Sequence, residues 1–295
     1  MILRAAISIF CITIFLFSCD VSDNESKQKV KTSTILAISK DAVLDSILSR
    51  KKLRAATDYG SVSFLIYRGE PIGYQYEMLL ELTLHLEVEL ELVIESNMQN
   101  SIDMLNNNEI DLLAMGLTVT SDRNNRFSFT SPIMTTRQVL VQRKPVGYTQ
   151  METADEIESN LLRNPLELAN TSINVQEGTI FSKRLKTLSN EIADTINIIV
   201  DDRDIEELIS AVSSGEIDFT VADEHVAIVN ARYFRNIDVN TPLSFPQKIA
   251  WAAKKGQTGL VDTINSWLAE FNHTLRARLL YNKYFKNIRS KKIVN

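Results

Sequence analysis

The sequence predicts an α/β protein made of two similarly built lobes. Two segments support this prediction, NNEIDLLAMG at 107–116 and SGEIDFTVAD at 214–223. Each passes from the end of a helical pattern through a turn into a short apolar run, which is typical of a buried strand in an α/β sheet. The likeness is one of architecture and not a tandem repeat. Because these units are separated along the chain, we expect two lobes joined by two crossings.

Composition and charge exclude several classes of protein. The chain has 295 residues, of which 44% are hydrophobic and 23% charged, and this is enough for two lobes with cores of their own. Its net charge of −5 gives no electrostatic reason to bind nucleic acid. The sequence has neither a metal-spaced His/Cys cluster nor a nucleophile elbow. We therefore expect a binding protein that needs no metal or cofactor, and not an enzyme.

The amino terminus has the pattern of a targeting segment. Residues 1–18 contain Arg4 followed by an apolar run that is too short for a typical membrane-spanning helix, as in a signal peptide. The run ends in Leu-Phe-Ser-Cys, which resembles a bacterial lipobox, and on that resemblance Cys19 becomes a lipid-bearing amino terminus. The alternative is an ordinary secretory signal with an incidental Cys19. Residues 19–34 are polar and without apolar period, so we expect a flexible tether.

Apolar periodicity predicts the elements of the first lobe. Ile35–Ser49 has apolar residues at helical spacing, and Lys52–Thr57 is the expected first strand. Glu87–Ile94 alternates acidic and apolar residues, as a half-buried strand does. The other expected elements are a loop and hairpin over 58–73, helices from 73 to 86 and from 101 to 108, and a strand at 112–115.

The same reasoning predicts the second lobe and the return of the chain to the first. We expect strands at 139–141, 172–176, 196–200 and 219–222, and a helix at 204–213. A strand at 250–254 and a helix at 260–271 then complete the first lobe. The crossings are expected at Ile133–Arg137 and Ser244–Ile249. The predicted boundaries are 35–133 and 249–288 for lobe 1, 138–244 for lobe 2 and 289–295 for a basic tail.

Polar groups follow the strand at 112–115, and their types suit a small anion. The apolar run ends in Gly116, and hydroxyls follow at Thr118 and Thr120 before Arg123. Ligands of α/β sheets bind beyond the carboxyl ends of the strands. Arginine offers a carboxylate a bidentate fork, to which hydroxyls add hydrogen bonds. The alternative is that Arg123 caps a helix or pairs with Asp122 or Glu109.

A family resemblance adds to this interpretation. GLTVTSDR followed by FSFTSP resembles the segment T-x-T-x-x-R … F-S-x-P of the family 3 periplasmic solute-binding proteins, the polar amino-acid binders. The resemblance runs from about Leu53 to Phe285 and is strongest to the non-catalytic domain of the membrane-bound lytic transglycosylase F type. It implies the two-lobed type II periplasmic-binding-protein fold, in which each lobe is a mixed sheet flanked by helices and two crossings join the lobes.

The resemblance also implies roles for individual residues. Arg123 and Thr118 would hold the α-carboxylate of the ligand, with Gly116 and Thr120 at the pocket wall. From the second lobe, Gly178 and Thr179 would touch the ligand and Asp223 would take its α-ammonium. The alternatives are a plain strand-to-helix turn at Gly178-Thr179 and a helix-capping role for Asp223.

The loop after the first strand departs from the family pattern. Amino-acid binders sandwich the ligand side chain between aromatic residues, and neither Ser61 nor Met98, which fall near those places, is aromatic. We expect Tyr59 or Phe64 to replace these aromatic residues in part. Asp58 and Tyr59 complete the set of candidate ligand-binding residues. The pocket is therefore expected to be larger or more polar than a simple amino-acid site.

We expect an extracytoplasmic, lipid-anchored protein that binds an amino acid or related small zwitterion. Its expected partners are that small molecule, a transporter permease and, through the anchor, a membrane. The alternative is a non-catalytic lipoprotein that senses cell-wall peptides. A glycan-cleaving enzyme is disfavoured, because the sequence has no segment resembling the catalytic domain of the transglycosylase.

Overall fold

The computed structural model describes residues 42–286. In chain order, these begin with α1 (42–50), β1 (Lys52–Thr57), β2 (Leu65–Tyr67), β3 (Glu70–Ile72), α2 (Tyr74–Leu86), β4 (Glu89–Ile94), α3 (Met98–Asn106), β5 (Leu112–Thr118), α4 (Ser121–Arg126), β6 (Phe127–Phe129) and β7 (Met134–Thr136). They continue with β8 (Gln138–Arg143), α5 (Ala154–Glu158), β9 (Ser172–Gln176), α6 (Phe181–Ile192), β10 (Asn197–Asp201), α7 (Ile205–Ser214), β11 (Phe219–Asp223), α8 (Glu224–Asn230) and β12 (Ile237–Pro242). The last are β13 (Gln247–Lys254), α9 (Thr258–Phe271), α10 (Leu275–Tyr281) and a π-helical turn (Asn282–Lys286).

The first lobe is built on a six-stranded mixed sheet. Its strand order is β4-β1-β5-β13-β6, and β7 also pairs with β13. Strand β1 lies parallel to β4 and β5, whereas β13 runs antiparallel to β5, β6 and β7. Trp251 of β13 is fully buried in the core of this lobe and stacks on Trp267 of α9 at 6.3 Å between ring centroids. This core joins residues that are far apart in the sequence.

The second lobe is built on a five-stranded mixed sheet. Its order is β10-β9-β11-β8-β12, with β9 parallel to β10 and β11 and with β8 antiparallel to β11 and β12. Helix α7 begins at a capping box in which Asp204 and Glu207 satisfy each other's backbone N–H groups. The α/β class predicted from the sequence, with two mixed sheets flanked by helices, is confirmed.

The two crossings are shorter than the expected segments. Met134–Thr136 forms β7, which pairs with the first three residues of β13, so both belong to the sheet of the first lobe. The chain enters the second lobe at Arg137 and leaves it over 243–246. At this point Gln138 N donates to Ser244 Oγ at 2.9 Å, and Leu243 N donates to the Gln138 carbonyl at 2.8 Å. The crossings are therefore hydrogen-bonded to each other.

Several expectations concern residues outside the described range. The signal peptide (1–18), the tether (19–34) with Cys19, and the basic tail (289–295) all lie there. The helix expected over 35–49 is described only from residue 42, and it continues to residue 50.

The two Glu-Ile-Asp segments that predicted the lobes differ in the ion pair that their aspartate forms. Asp111 is 4% exposed; its carboxylate accepts from Arg54 N and Arg54 Nη2, each at 2.9 Å, and from Arg50 Nη2. Its counterpart Asp218 pairs with Arg143 at 2.9 Å but is 74% exposed. Equivalent positions in the sequence pattern therefore carry a buried and an exposed ion pair.

We predict that Asp111→Ala lowers the free energy of unfolding far more than Asp218→Ala. Breaking a fully buried pair costs about 3–5 kcal/mol, and we expect roughly 2–4 because both arginines keep part of their solvent contact. An exposed pair is worth about 0–1 kcal/mol. Urea denaturation of both variants measures the difference, and equal losses would contradict the assignment of Asp111 as the buried anchor.

Candidate functional site

A cavity of about 120 Å³ lies between the two sheets. Its wall includes residues that lie at or just beyond the carboxyl ends of strands from both lobes. Asp58 follows β1, Gly178 follows β9, and Asp223 ends β11. Two clefts of about 430 and 470 Å³ adjoin it, and Met98 and Gly178 line all three spaces. This is the place where α/β sheets bind ligands.

Arg123 lies on α4 and lines the 430 Å³ cleft together with Thr120. The hydroxyl of Thr120 caps this helix by accepting from Arg123 N at 3.2 Å. The guanidinium Nη1 donates to the carbonyl of Thr118, the last residue of β5, at 3.3 Å. Burial lowers the pKa of Arg123, while the negative charge of Asp223 acts in the opposite direction. The guanidinium is thus held near the cleft by a backbone carbonyl.

Both alternatives considered for Arg123 disagree with the structure. Within residues 42–286 no carboxylate forms an ion pair with it. Asp122 instead pairs with Lys183 at 2.6 Å, and Glu109 accepts from the Asn107 side chain at 3.1 Å. The helix cap is made by the Thr120 side chain and not by Arg123. The charge of Arg123 is therefore available to a ligand.

Asp223 presents a desolvated carboxylate to the cavity from the second lobe. It is the N-cap residue of α8, yet its side chain makes no capping hydrogen bond. Its Oδ1 atom is buried and has no hydrogen-bond partner among the described residues. Burial raises the pKa of Asp223 to about 7, and Arg123 opposes this rise. The proposed capping role is wrong for this residue.

Asp58 is a second acid on the same wall. Its Oδ1 is likewise buried without a partner in the described part of the chain. Burial raises the pKa of Asp58, and a hydrogen bond from the Ser63 hydroxyl counteracts this rise. The cavity wall thus holds two carboxylates with an unpaired buried oxygen, one from each lobe, besides the exposed Glu177.

The aromatic residues expected in the loop after β1 do not line the cavity. Tyr59 is half exposed, and its backbone N–H donates to Ser96 Oγ at 3.4 Å. Phe64 packs edge-on against Tyr76 at 5.3 Å. The rings that line the cavity are instead Phe181 and His225 of the second lobe. Of the nine residues expected to bind ligand, Tyr59 and Thr118 line none of the three spaces, and Tyr59 reaches the wall only through its hydrogen bond to Ser96.

The glycines and threonines of the predicted site form its backbone walls. Gly116 lines the cavity of about 120 Å³, which we call the inner cavity, and Thr118 is buried behind it. Gly178 has a φ of +73°, and a Cβ there would lie 3.5 Å from the Met98 Cβ, so a side chain would narrow the passage between the lobes. Thr179 lines the cavity and donates its hydroxyl to the Gln176 carbonyl at 2.7 Å. This turn precedes α6, which begins at Phe181.

Three residues of the site were missed by sequence reasoning. His225 lines the cavity, with Nδ1 2.9 Å from Thr136 Oγ1, and burial lowers its pKa to about 4. Gln75 lines the cavity from α2. Glu206 of α7 accepts from Ser61 N at 2.7 Å and from Ser61 Oγ at 2.5 Å. Glu206 carries no sequence signal, because its partner is 145 residues away.

The Ser61–Glu206 contact, which we name the clasp, connects the two lobes across the cleft. Asn230 Nδ2 supports it by donating to the same Glu206 oxygen at 3.3 Å. A second connection, Asp122–Lys183, spans the lobes elsewhere, but both side chains are 74% exposed. Hydrogen bonds to a charged group contribute more than an exposed ion pair does. Of these two contacts across the cleft, the clasp is therefore the stronger.

Two other features are absent from the described residues, a metal site and a membrane-spanning helix. Between 42 and 286 no group of three or more His, Cys, Asp or Glu side chains is placed to hold a metal ion. No helix in that range combines the length and apolar character needed to cross a bilayer.

Two α/β lobes with charged groups from both facing one enclosed cleft define a two-lobed solute-binding protein. The profile of the bacterial extracellular solute-binding proteins, family 3, matches residues 53–287, and the chain belongs to this family.

Curated relatives support the resemblance to the transglycosylase type. The membrane-bound lytic murein transglycosylase F of Desulfosudis oleivorans is 29% identical over 234 residues, covering 79% of this chain and 48% of the relative. The protein of the same name from Alteromonas mediterranea is 29% identical over 250 residues, covering 83% of this chain and 52% of the relative. The chain therefore spans about half the length of the curated relatives it matches.

Solved structures with the same fold are amino-acid-binding proteins. The ancestral amino acid-binding protein AncCDT-1, a precursor of cyclohexadienyl dehydratase, has a TM-score of 0.66 and 25% identity, covering 82% of this chain and 99% of that one. An ancestral arginine-binding protein bound to arginine has a TM-score of 0.67 and 20% identity, covering 80% and 99%. The second likeness shows the fold alone.

We predict that Glu206→Ala opens the cleft. Removing hydrogen bonds to a charged group costs about 1.5–3 kcal/mol. The ratio of molecules with a closed cleft to molecules with an open cleft should therefore fall by roughly tenfold or more. Small-angle scattering should then show a larger radius of gyration. Lys183→Ala is the matched control; it removes the exposed pair and should leave the radius unchanged. An unchanged radius for Glu206→Ala would show that the clasp does not hold the lobes.

Proposed function

We propose that this protein is an extracytoplasmic receptor that binds an amino acid or related small zwitterion between its lobes. One observation supports this most directly: Arg123 and Asp223 come from opposite lobes, interact electrostatically, and have no ion-pair partner among residues 42–286. An α-amino acid carries one group for each of them. Thr118, Gly116, Thr120, Gly178 and Thr179 would form the surrounding walls.

Charge complementarity favours a zwitterion over a neutral solute. Burying a charge without a partner is costly, and a cleft that holds a desolvated cation and a desolvated anion gains most from a ligand that neutralises both. A sugar would supply hydrogen bonds but no charge. The membership of the chain in family 3 and its likeness to amino-acid-binding structures support the same ligand class.

We propose further that the receptor is lipid-anchored and serves a transporter. The lipobox-like Ser18-Cys19 supports the anchor. Metabolic labelling with a lipid probe should mark the wild type and leave Cys19→Ala unmarked; equal labelling of both would exclude lipidation at this residue.

A second candidate function is the sensing of cell-wall peptides without catalysis. The two clefts of about 430 and 470 Å³ beside the inner cavity favour it, because they leave room for a ligand longer than a free amino acid. The names of the relatives point the same way. A thermal-shift screen with amino acids and muropeptides separates the two, because ligand binding to the native state raises its apparent stability.

We predict that Arg123→Ala weakens ligand binding by roughly thirtyfold or more. Truncating one member of a buried charge pair costs about 2–5 kcal/mol, and about 1.4 kcal/mol corresponds to tenfold. Arg123→Lys should also bind poorly, because an ammonium cannot reproduce the bidentate fork. Asp223→Asn should lose affinity while it stays folded. Calorimetric titration measures these affinities, with circular dichroism as the folding control.

The same charge logic makes binding depend on pH. The free Asp223 carboxyl has a pKa of about 7, and only its ionised form pairs with an ammonium. Affinity should therefore fall by about tenfold from roughly pH 8 to pH 6, since protons compete with the ligand. His225, with a pKa of about 4, does not titrate over this range. Asp223→Asn should bind weakly with a flat profile. If the folded variants Arg123→Ala and Asp223→Asn both bind the ligand as tightly as the wild type does, the binding site lies elsewhere.

A further inference from the structure

Gln75 is a buried amide whose orientation is fixed by a tryptophan. It lies in the first turn of α2 and is 0% exposed. Its Oε1 accepts from Trp251 Nε1 at 2.7 Å, and Trp251 is itself fully buried. An indole N–H can only donate, so the amide oxygen of Gln75 must face it. The amide nitrogen, Nε2, therefore points the other way.

That nitrogen lies beside Gly116 in the wall of the inner cavity and has no partner among the described residues. Gln75 lines the cavity, and Nε2 lies 3.8 Å from the position that a Cβ on Gly116 would occupy. Nε2 is buried and makes no hydrogen bond to any described residue. Buried polar atoms in native proteins nearly always have a partner, which is protein, water or ligand. An unpaired buried donor in a cavity wall thus indicates a group that binds there.

The cavity wall combines this donor with acceptors. Asp58 Oδ1 and Asp223 Oδ1 line the same cavity and are also buried without partners in the described part of the chain. In the proposed function Asp223 pairs with the α-ammonium of the ligand. Among the cavity-lining atoms that are buried without a described partner, this leaves one acceptor, on Asp58, and one donor, on Gln75, for the rest of the ligand.

We propose that Gln75 is a specificity-determining residue, and that together with Asp58 it selects a zwitterion whose inward group carries both an acceptor and a donor. A carboxamide has this pair, because its oxygen accepts from Gln75 Nε2 and its NH₂ donates to Asp58. This inference rests on the proposed function and narrows its ligand class.

Other side chains fit this wall less well. An ammonium or guanidinium only donates, so it leaves Nε2 unpaired. A carboxylate only accepts, so it meets Asp58 as a like charge. An alkyl chain satisfies neither group. A site built to hydrogen-bond a polar group discriminates strongly against analogues that lack it, because its own buried groups are then left unpaired.

The test is calorimetric titration of the purified full chain at about pH 8 with L-glutamine, L-glutamate, L-lysine and L-norleucine. We expect the wild type to prefer glutamine over each of the others by about tenfold or more. Gln75→Glu keeps an oxygen for the Trp251 N–H but replaces the inward donor with an acceptor. The ratio of lysine to glutamine affinity should then rise by about tenfold or more.

Gln75→Met is a second variant of similar length that has neither amide atom. It should bind glutamine and norleucine with similar affinity. If it fails to fold because the Trp251 N–H loses its acceptor, Gln75→Glu alone decides the proposal, since it preserves that hydrogen bond.

The outcomes separate this inference from the proposed function. Equal wild-type affinity for glutamine, lysine and norleucine, or an unchanged ratio in folded Gln75→Glu, would overturn the role of Gln75 and leave the zwitterion receptor standing. The absence of binding for all four amino acids would overturn the role of Gln75, and a thermal-shift screen that finds no zwitterionic ligand at all would overturn the proposed function as well.

Discussion

The return of the chain into the first sheet as β13 is the constraint on which the rest of the structure depends. Without this strand, β5 would lose its antiparallel neighbour, and β6 and β7 would lose their partner. In the sequence, β13 follows all the elements of the second lobe. Its pairing with β7 holds the two crossings side by side. One backbone ladder therefore completes the first sheet and fixes where the second lobe is attached.

The same strand supports the site. Trp251 at its middle orients the amide of Gln75, and the Ile249 side chain lies 3.6 Å from where a Cβ on Gly116 would stand. Thr136, on the paired strand β7, holds His225 of the second lobe. Strands β7 and β13 thus support residues of the cavity wall, although no residue of either strand lines the cavity itself. A hinge motion between the lobes would move β7 and β13, and the same two strands hold residues of the site. The site can therefore respond to hinge motion.

The cleft carries charges that work against folding and in favour of binding. Three of its atoms, Oδ1 of Asp58, Oδ1 of Asp223 and Nε2 of Gln75, are buried without partners among the described residues. Real proteins violate the rule of satisfied polar groups chiefly at functional sites. In contrast, both carboxylate oxygens of the buried Asp111 accept hydrogen bonds from Arg54 or Arg50. This difference separates a carboxylate that is satisfied within the structure from the two whose Oδ1 atoms are not.

Much of the architecture was determined by the sequence itself. The strand Lys52–Thr57 has the predicted bounds, and the alternation in 87–94 became β4, because a period of two is a local property that needs no partner to be recognised. Asp223 at the end of β11 was also predictable, since ligands gather where strands stop, whereas β5 continues through Gly116 to Thr118 instead of ending before it. The tertiary structure alone decided what each side chain does. The same three residues, Glu-Ile-Asp, occur in both lobes, yet Asp111 forms a buried ion pair and Asp218 an exposed one. Gln75 and Glu206 acquire their roles from partners 176 and 145 residues away, and no local pattern encodes a contact made over such a distance.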